Sequence, residues 1–129
     1  MTSWIIPCNL KYYDVEGAFN NLKIIDWKQS ATNIEVGDDV YIYVSSPVRA
    51  IKYQCIVKKV LMDHIEIDDS PYVLDGTNYL SSKYHMQLEL VRKFNDELKI
   101  DELMKHGLTS NIQSPRRVNN ELENFFATV

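Results

Sequence analysis

Trp27 is the residue of this 129-residue chain whose surroundings most suggest a bound ligand. The run 25–33 around it is too polar for a core strand and lacks the apolar repeat of a helix, so we predict a polar loop. A wet indole would expose apolar surface whose burial contributes roughly 1.5–3 kcal/mol. Aromatic residues on loops at strand ends commonly stack on nucleic-acid bases. The alternative is that the loop folds back and anchors the ring on the core; without such anchoring, replacing Trp27 with alanine should leave stability nearly unchanged.

Two adjacent arginines are the second chemical feature. Ser114 and Pro115 predict the N-cap and first residue of the last helix, which places Arg116 and Arg117 in its first turn. Cations there oppose the helix dipole by a few tenths of a kcal/mol each, roughly, so a negative group should offset them. Either Glu121, one turn further on, or a bound phosphate could be that group.

Catalytic signatures are largely missing from the sequence. The three histidines are scattered without metal-binding spacing, and the serines lack a nucleophile elbow. Two adjacent aspartate pairs stand beside turn residues and are best explained as turn formers. With four glycines and no glycine-rich phosphate loop, a nucleotide cofactor is not expected. We therefore predict a protein that is not an enzyme and that holds neither metal nor cofactor.

Composition predicts one soluble domain over residues 1–129, with 45% hydrophobic and 25% charged residues. No apolar run approaches the roughly 18 residues of a membrane span, so no membrane partner is expected. The first residues do not form a secretory signal, and Cys8 and Cys55 are expected to be reduced core thiols of a cytoplasmic protein. A net charge of −4 argues against strong, sequence-blind DNA binding.

The hydrophobic pattern predicts an α+β domain built on a small, strongly curved sheet or barrel. In the long strand, the apolar phase switches near 56–57, which predicts a bulge. Asp14 should cap the first helix and Gly107 should end the second. The strands are expected over 3–9, 40–44, 50–62, 64–67 and 84–94, the helices over 15–22, from 96 or 99 to 107 and from 114 onward, and a long loop over 68–82.

An ordered set of segments resembles the EVE domain of the PUA-like superfamily, which also holds the YTH and ASCH domains. The segments are Trp-Ile-Ile-Pro-Cys-Asn at 4–9, Asp-Trp-Lys-Gln at 26–29, the run 34–43, the run 51–57 and Gln-Ser-Pro-Arg-Arg at 113–117. The resemblance is best over residues 4–60. It departs from the family at 9–11, where Asn-Leu-Lys replaces the expected Asn-Pro-Lys.

The resemblance implies a PUA-like, strongly bent β-barrel of about five or six strands with helices packed outside. It further implies a pocket that accepts a flipped, modified base, with a methylated base foremost. The expected partner is modified DNA in preference to RNA. Relatives of this kind act in modification-dependent restriction, which makes a nuclease a candidate protein partner.

Residue by residue, the resemblance and the composition together predict a pocket and a phosphate-binding rim. Trp27 would stack on the base, and the second wall would come from Trp4, Tyr12 or Tyr43. The groups that read the base edge would be Asn9, Lys28, Gln29, Ser30 and Ser45. The phosphate contacts would be Arg49, Lys52, Arg116 and Arg117. Some of these residues could instead have a purely structural role. Trp4 could be an ordinary core residue, Tyr43 could cover an outer sheet face, and Gln29 could cap its own loop. Arg49 and Lys52 could simply be solvated.

Two other function classes compete with base capture. A protein-interaction or regulatory module of a nuclease, restriction or toxin system would show an exposed apolar patch on the last helix around Phe125 and Phe126. A small hydrolase or nuclease would need clustered carboxylates.

Overall fold

A computed structural model describes residues 2–74 and 83–129 as an α+β structure around one six-stranded sheet. A 3₁₀ turn, Ser70–Tyr72, occupies the start of the loop predicted over 68–82, and positions 75–82 lie outside the described residues. The strands are β1 (Ser3–Cys8), β2 (Ile24–Lys28), β3 (Asp39–Val44), β4 (Ala50–Met62), β5 (His85–Lys93) and β6 (Arg116–Arg117). The helices are α1 (Val15–Asn21), α2 (Ile100–Lys105) and α3 (Asn120–Phe126).

The sheet is strongly bent. Its strand order is β2-β5-β4-β3-β1-β6, with β1 and β3 parallel and the other neighbours antiparallel. The pairing of β4 with β5 shifts register three times, once between Val57 and Lys59, close to the predicted bulge. Such irregularities bend a strand and increase its twist. The prediction of a strongly bent barrel of five or six strands in an α+β domain is confirmed.

Both faces of the sheet are buried, and β3 shows why. Val40 and Ile42 point into one core together with α1, whereas Tyr41 and Tyr43 point into a second core beneath α2 and α3. The Tyr41 ring lies 4.5 Å from the Phe126 ring. Successive side chains of β3 therefore point alternately into the two cores, and the tyrosines cover the sheet face that lies under α2 and α3.

The polar run around Trp27 is a strand, β2, so the predicted loop is wrong there. Asp26, fully buried in this strand, accepts hydrogen bonds from the backbone N–H groups of Glu66 and Ile67 at 2.6 and 2.7 Å. Both bonds go to one oxygen of the carboxylate, Oδ2, and offset part of the cost of burying its charge. They also explain why the strand predicted over 64–67 is wrong, because the backbone of that segment binds a side chain instead of a neighbouring strand.

The last helix begins five residues later than predicted, at Asn120 instead of Pro115. Asn119 is its N-cap, and the Asn119 side chain accepts a hydrogen bond from the Leu122 N–H at 2.9 Å. Arg116 and Arg117 instead form β6, paired with β1. The predicted conflict between these arginines and a helix dipole is therefore absent. The caps predicted for the other helices are confirmed, since Asp14 accepts from the Gly17 N–H and Gly107 has φ of +113°.

Asp38 ties the start of the chain to the turn before β3. Its carboxylate accepts hydrogen bonds from the Trp4 indole N–H at 3.0 Å, the Glu35 N–H at 3.0 Å and the Thr2 N–H at 3.1 Å. Burial alone raises the pKa of Asp38, but the bonds from Glu35, Trp4 and Thr2 outweigh it, so the pKa lies below its usual value.

We expect Asp38→Asn to lower the free energy of unfolding at pH 7 by about 1.5–3 kcal/mol, because three donors lose a charged acceptor. Because the pKa of Asp38 is lowered in the folded state, this stabilisation is present above the unfolded value of about 3.9 and is lost as pH falls through the folded value. Urea unfolding from pH 7 to pH 3 measures both effects. Asp39→Asn is the matched control, and an equal loss in both variants would contradict the assignment.

Candidate functional site

A cavity of about 450 Å³ lies where three strands end. Since β1 and β3 are parallel, their carboxyl ends meet, and the Ser45 N–H donates to the Cys8 carbonyl at 2.9 Å. The end of β2 lines the same cavity although β2 and β1 stand far apart in the strand order. Curling of the sheet therefore brings Trp27 and Cys8 to one site.

Trp27 lines this cavity but is only 6% exposed, so its ring is packed on the core, as the alternative to an exposed indole predicts, and also borders the cavity. Its ring packs edge-to-face against Tyr13, with centroids 5.1 Å apart and planes at 69°. The Nε1–H group is buried and has no hydrogen-bond partner among the described residues. A buried, unsatisfied donor costs about 1–3 kcal/mol.

Five more of the predicted pocket residues line the cavity. Tyr12 supplies a second aromatic side chain, placed by a turn in which the Asn9 carbonyl accepts from the Tyr12 and Tyr13 N–H groups at 2.9 and 3.2 Å. The Asn9 side chain also accepts from the Lys11 N–H at 2.9 Å, which closes this turn without the proline expected there. The predicted residues brought together with Trp27 are Asn9, Tyr12, Lys28, Ser30 and Ser45.

Trp4, Gln29 and Tyr43 do not line this cavity, contrary to prediction. Trp4 points into the first core, where its Nε1–H is bound by Asp38. Gln29 is buried; its amide donates to the Ala31 carbonyl at 3.1 Å and accepts from the Leu61 N–H at 2.8 Å. Tyr43 lies on the opposite face of β3, in the second core. Each of these three residues therefore has the structural role named as its alternative: Trp4 is a core residue, Gln29 binds the backbone of its own loop, and Tyr43 covers a sheet face under helices.

The four predicted phosphate contacts are distributed over different elements. Lys52 donates to the Asn95 carbonyl and lies 3.8 Å from the Asp96 carboxylate. Arg116 donates to the Ser110 hydroxyl at 2.9 Å, and the Arg117 guanidinium lies 5.3 Å from the centre of the Trp4 ring. Arg49 lines a groove beside the cavity.

Several cavity residues were missed by the sequence analysis. Tyr13 follows Tyr12 in the same turn, and its hydroxyl donates to Asp69 at 2.7 Å. The run 112–115 forms a wall, although its sequence indicated a helix start. Cys8 is also present; burial, followed by the charge of Asp14, raises the pKa of its thiol to about 12, so it stays protonated at neutral pH.

The described lining of the cavity consists of aromatic, apolar and a few polar side chains. Among the described residues that line it there is neither a carboxylate nor an imidazole. Residues 2–74 and 83–129 contain no group of three or more His, Cys, Asp and Glu side chains arranged to hold a metal. No helix in these ranges is long and apolar enough to cross a membrane. Aromatic and apolar walls with a few polar groups suit a flat, partly polar ligand.

The apolar patch expected of a protein-interaction module is not formed by the last helix. Phe126 is 8% exposed and packs against Tyr41. Phe125 stacks on the His106 ring at 3.8 Å with planes at 11°.

Comparison with solved structures shows the fold. The chain matches an ASCH protein from Zymomonas mobilis with a TM-score of 0.67 and 11% identity, covering 99% of this chain and 95% of that one. Human THYN1, solved in complex with DNA containing 5-methylcytosine, matches with a TM-score of 0.67 and 12% identity over 99% and 96% of the two chains. A hypothetical protein from Leishmania major matches with a TM-score of 0.68 and 15% identity over 99% and 93%.

The chain has a PUA-like fold. No family model and no curated protein matches its sequence. Within this PUA-like fold, the cavity is built from the ends of β1, β2 and β3, the turn 9–13 and the run 112–115.

Proposed function

We propose that this chain is a non-catalytic nucleic-acid-binding module of the EVE type that captures a flipped, methylated base in its cavity. The observation that carries the proposal is the cavity of about 450 Å³ lined by Trp27, whose buried Nε1–H has no hydrogen-bond partner in the part of the chain that the structure describes. The oxygen and ring-nitrogen acceptors of a nucleobase can satisfy such a donor. Tyr12 and Tyr13 add aromatic surface for its flat faces.

The similarity to human THYN1 supports this choice of ligand. That protein was solved with DNA containing 5-methylcytosine and shares the fold over nearly the full length of both chains. 5-Methylcytosine in DNA is therefore the first modified base to test here, ahead of modified RNA.

The cavity must bind the base strongly, because the free energy of binding has to offset the cost of extruding the base from the duplex. Extruding a base costs a few kcal/mol, and each stacked aromatic returns about 1–3 kcal/mol. Burying one methyl group adds about 0.8 kcal/mol, equivalent to roughly fourfold in affinity. A net charge of −4 also favours few phosphate contacts, so base capture has to supply much of the affinity.

Binding to matched duplexes tests the proposal. One duplex carries a single central 5-methylcytosine, a second carries N6-methyladenine and a third is unmodified; fluorescence anisotropy is recorded at two salt concentrations. We expect at least one modified duplex to bind about fourfold or more tightly than the plain duplex at both salt concentrations. Weak, equal binding to all three, lost on adding salt, would contradict base capture.

The non-catalytic part of the proposal rests on the protonated Cys8 thiol and on the described cavity lining, which offers Ser30 and Ser45 no carboxylate or imidazole as a base. A partner nuclease would supply any cleavage. We expect methylated and plain DNA to stay intact during incubation with the protein and Mg²⁺ or Mn²⁺. Cleavage of either, lost on mutation of a cavity residue, would contradict this part.

A further inference from the structure

A second hollow of about 420 Å³ adjoins the cavity. The two share the wall formed by Ser45, Ile112 and Gln113. The rest of this groove is lined by Tyr43, Ser46, Arg49 and Asn111. Its described lining offers hydroxyl, amide and guanidinium groups and no carboxylate, so it suits an anion with several oxygen acceptors.

Tyr43 is the buried polar group of the groove. It is only 4% exposed, with its ring in the second core. Its hydroxyl makes no hydrogen bond with the described part of the chain, although the residue lines the groove. The hydroxyl is therefore available to a ligand lying there, whereas the hydroxyl of Tyr13 is already bound to Asp69.

Arg49 is the cation of the groove and has an unusual backbone. Its φ is +54°, a left-handed conformation that is costly for a residue with a Cβ. The conformation is fixed on both sides, because the Arg49 N–H donates to the Ser45 carbonyl at 3.4 Å and the Arg49 carbonyl accepts from Ile100 at 2.9 Å. Its exposed guanidinium forms no ion pair with the described residues, unlike the ammonium group of Lys52.

We propose that this groove binds the backbone phosphate next to the captured nucleotide, with the Arg49 guanidinium and the Tyr43 hydroxyl as donors. This inference rests on the proposed function and narrows its ligand. The unit of recognition is a base together with its adjoining phosphate, and a free nucleoside or free base is a poor ligand. The shared wall matches this arrangement, because base and phosphate belong to one nucleotide and must occupy adjacent sites.

Four ligands and three variants test the inference by calorimetry. The ligands are 5-methyl-2′-deoxycytidine, its 5′- and 3′-monophosphates, and a short single DNA strand with a central 5-methylcytosine. Two further versions of the strand carry an uncharged methylphosphonate in place of the phosphate, one on the 5′ side and one on the 3′ side of that nucleotide. Arg49→Asn removes the cation but tolerates a left-handed backbone, and Tyr43→Phe removes only the hydroxyl. Lys52→Gln is the control cation.

We expect one monophosphate to bind at least tenfold more tightly than the nucleoside. Arg49→Asn and the methylphosphonate on the corresponding side should each lower the affinity for the strand about tenfold. Tyr43→Phe should lower this affinity a few-fold, and Lys52→Gln should change it little. If the strand binds but neither Arg49→Asn nor either methylphosphonate weakens it, the groove inference is overturned while base capture stands. If no nucleic acid binds, base capture and the groove inference both fail.

Discussion

Replacing Trp27 with alanine is expected to lower the free energy of unfolding by about 3–5 kcal/mol, a large part of the 5–15 kcal/mol typical of a domain. The ring is 6% exposed and packs on Tyr13, so its removal leaves a hole in the first core. Urea unfolding followed by circular dichroism measures the loss. This result would replace the expectation from sequence that the substitution leaves stability nearly unchanged.

Trp27→Phe is the matched variant, because it keeps an aromatic ring but removes the N–H that has no partner among the described residues. We expect a smaller loss of stability than in Trp27→Ala, together with weaker binding of the methylated duplex, since the ligand loses a donor. A Trp27→Ala protein as stable as the parent would contradict the packing described here. A Trp27→Phe protein with unchanged affinity would remove the indole N–H from recognition.

Replacing Tyr12 with alanine is expected to weaken binding of the methylated duplex by about 5- to 150-fold, the equivalent of roughly 1–3 kcal/mol for one stacked base. Tyr12 is half-buried at the cavity, and its backbone hydrogen bonds to Asn9 and Leu74 survive the substitution. Stability should therefore fall less than in Trp27→Ala. Anisotropy gives the affinity, and thermal unfolding gives the stability.

Tyr84→Ala is the control for Tyr12→Ala. Tyr84 is also half-buried and also has the preceding lysine over its ring, with Lys83 at 5.2 Å where Lys11 lies 5.8 Å from Tyr12. It does not line the cavity. An equal fall in affinity in both variants would show that a general loss of structure, and not lost stacking, weakens binding.

Elements determined by neighbouring residues were predictable from the sequence. The Asp14 cap bonds to a residue three positions away, and the alternation in β3 needs only its own residues. The strand that carries Trp27 depends on distant groups, because the buried Asp26 carboxylate accepts a hydrogen bond from the N–H of Glu66, 40 positions away. Its polar composition therefore indicates a loop until that bond is known.

The site was partly predictable for the same reason. Asn9, Ser30 and Ser45 follow strand ends, which is where pockets of curved sheets form. The wall at 112–115 could not be located, because Ser-Pro is a common helix start and the pairing of β6 with β1 is non-local. Trp4 shares the core face of its strand with Cys8, but only the end of that strand reaches the cavity.

The two tryptophans allow a direct test of capture at Trp27 by nuclear magnetic resonance. In ¹⁵N-labelled protein each gives one indole N–H signal; that of Trp4 is bound to Asp38 and serves as the internal reference. On adding the methylated duplex, we expect the Trp27 signal to move and to exchange more slowly with solvent, while the Trp4 signal stays in place. If saturation with the duplex shifts surface amide signals but leaves the Trp27 indole signal unmoved, base capture in this cavity is contradicted.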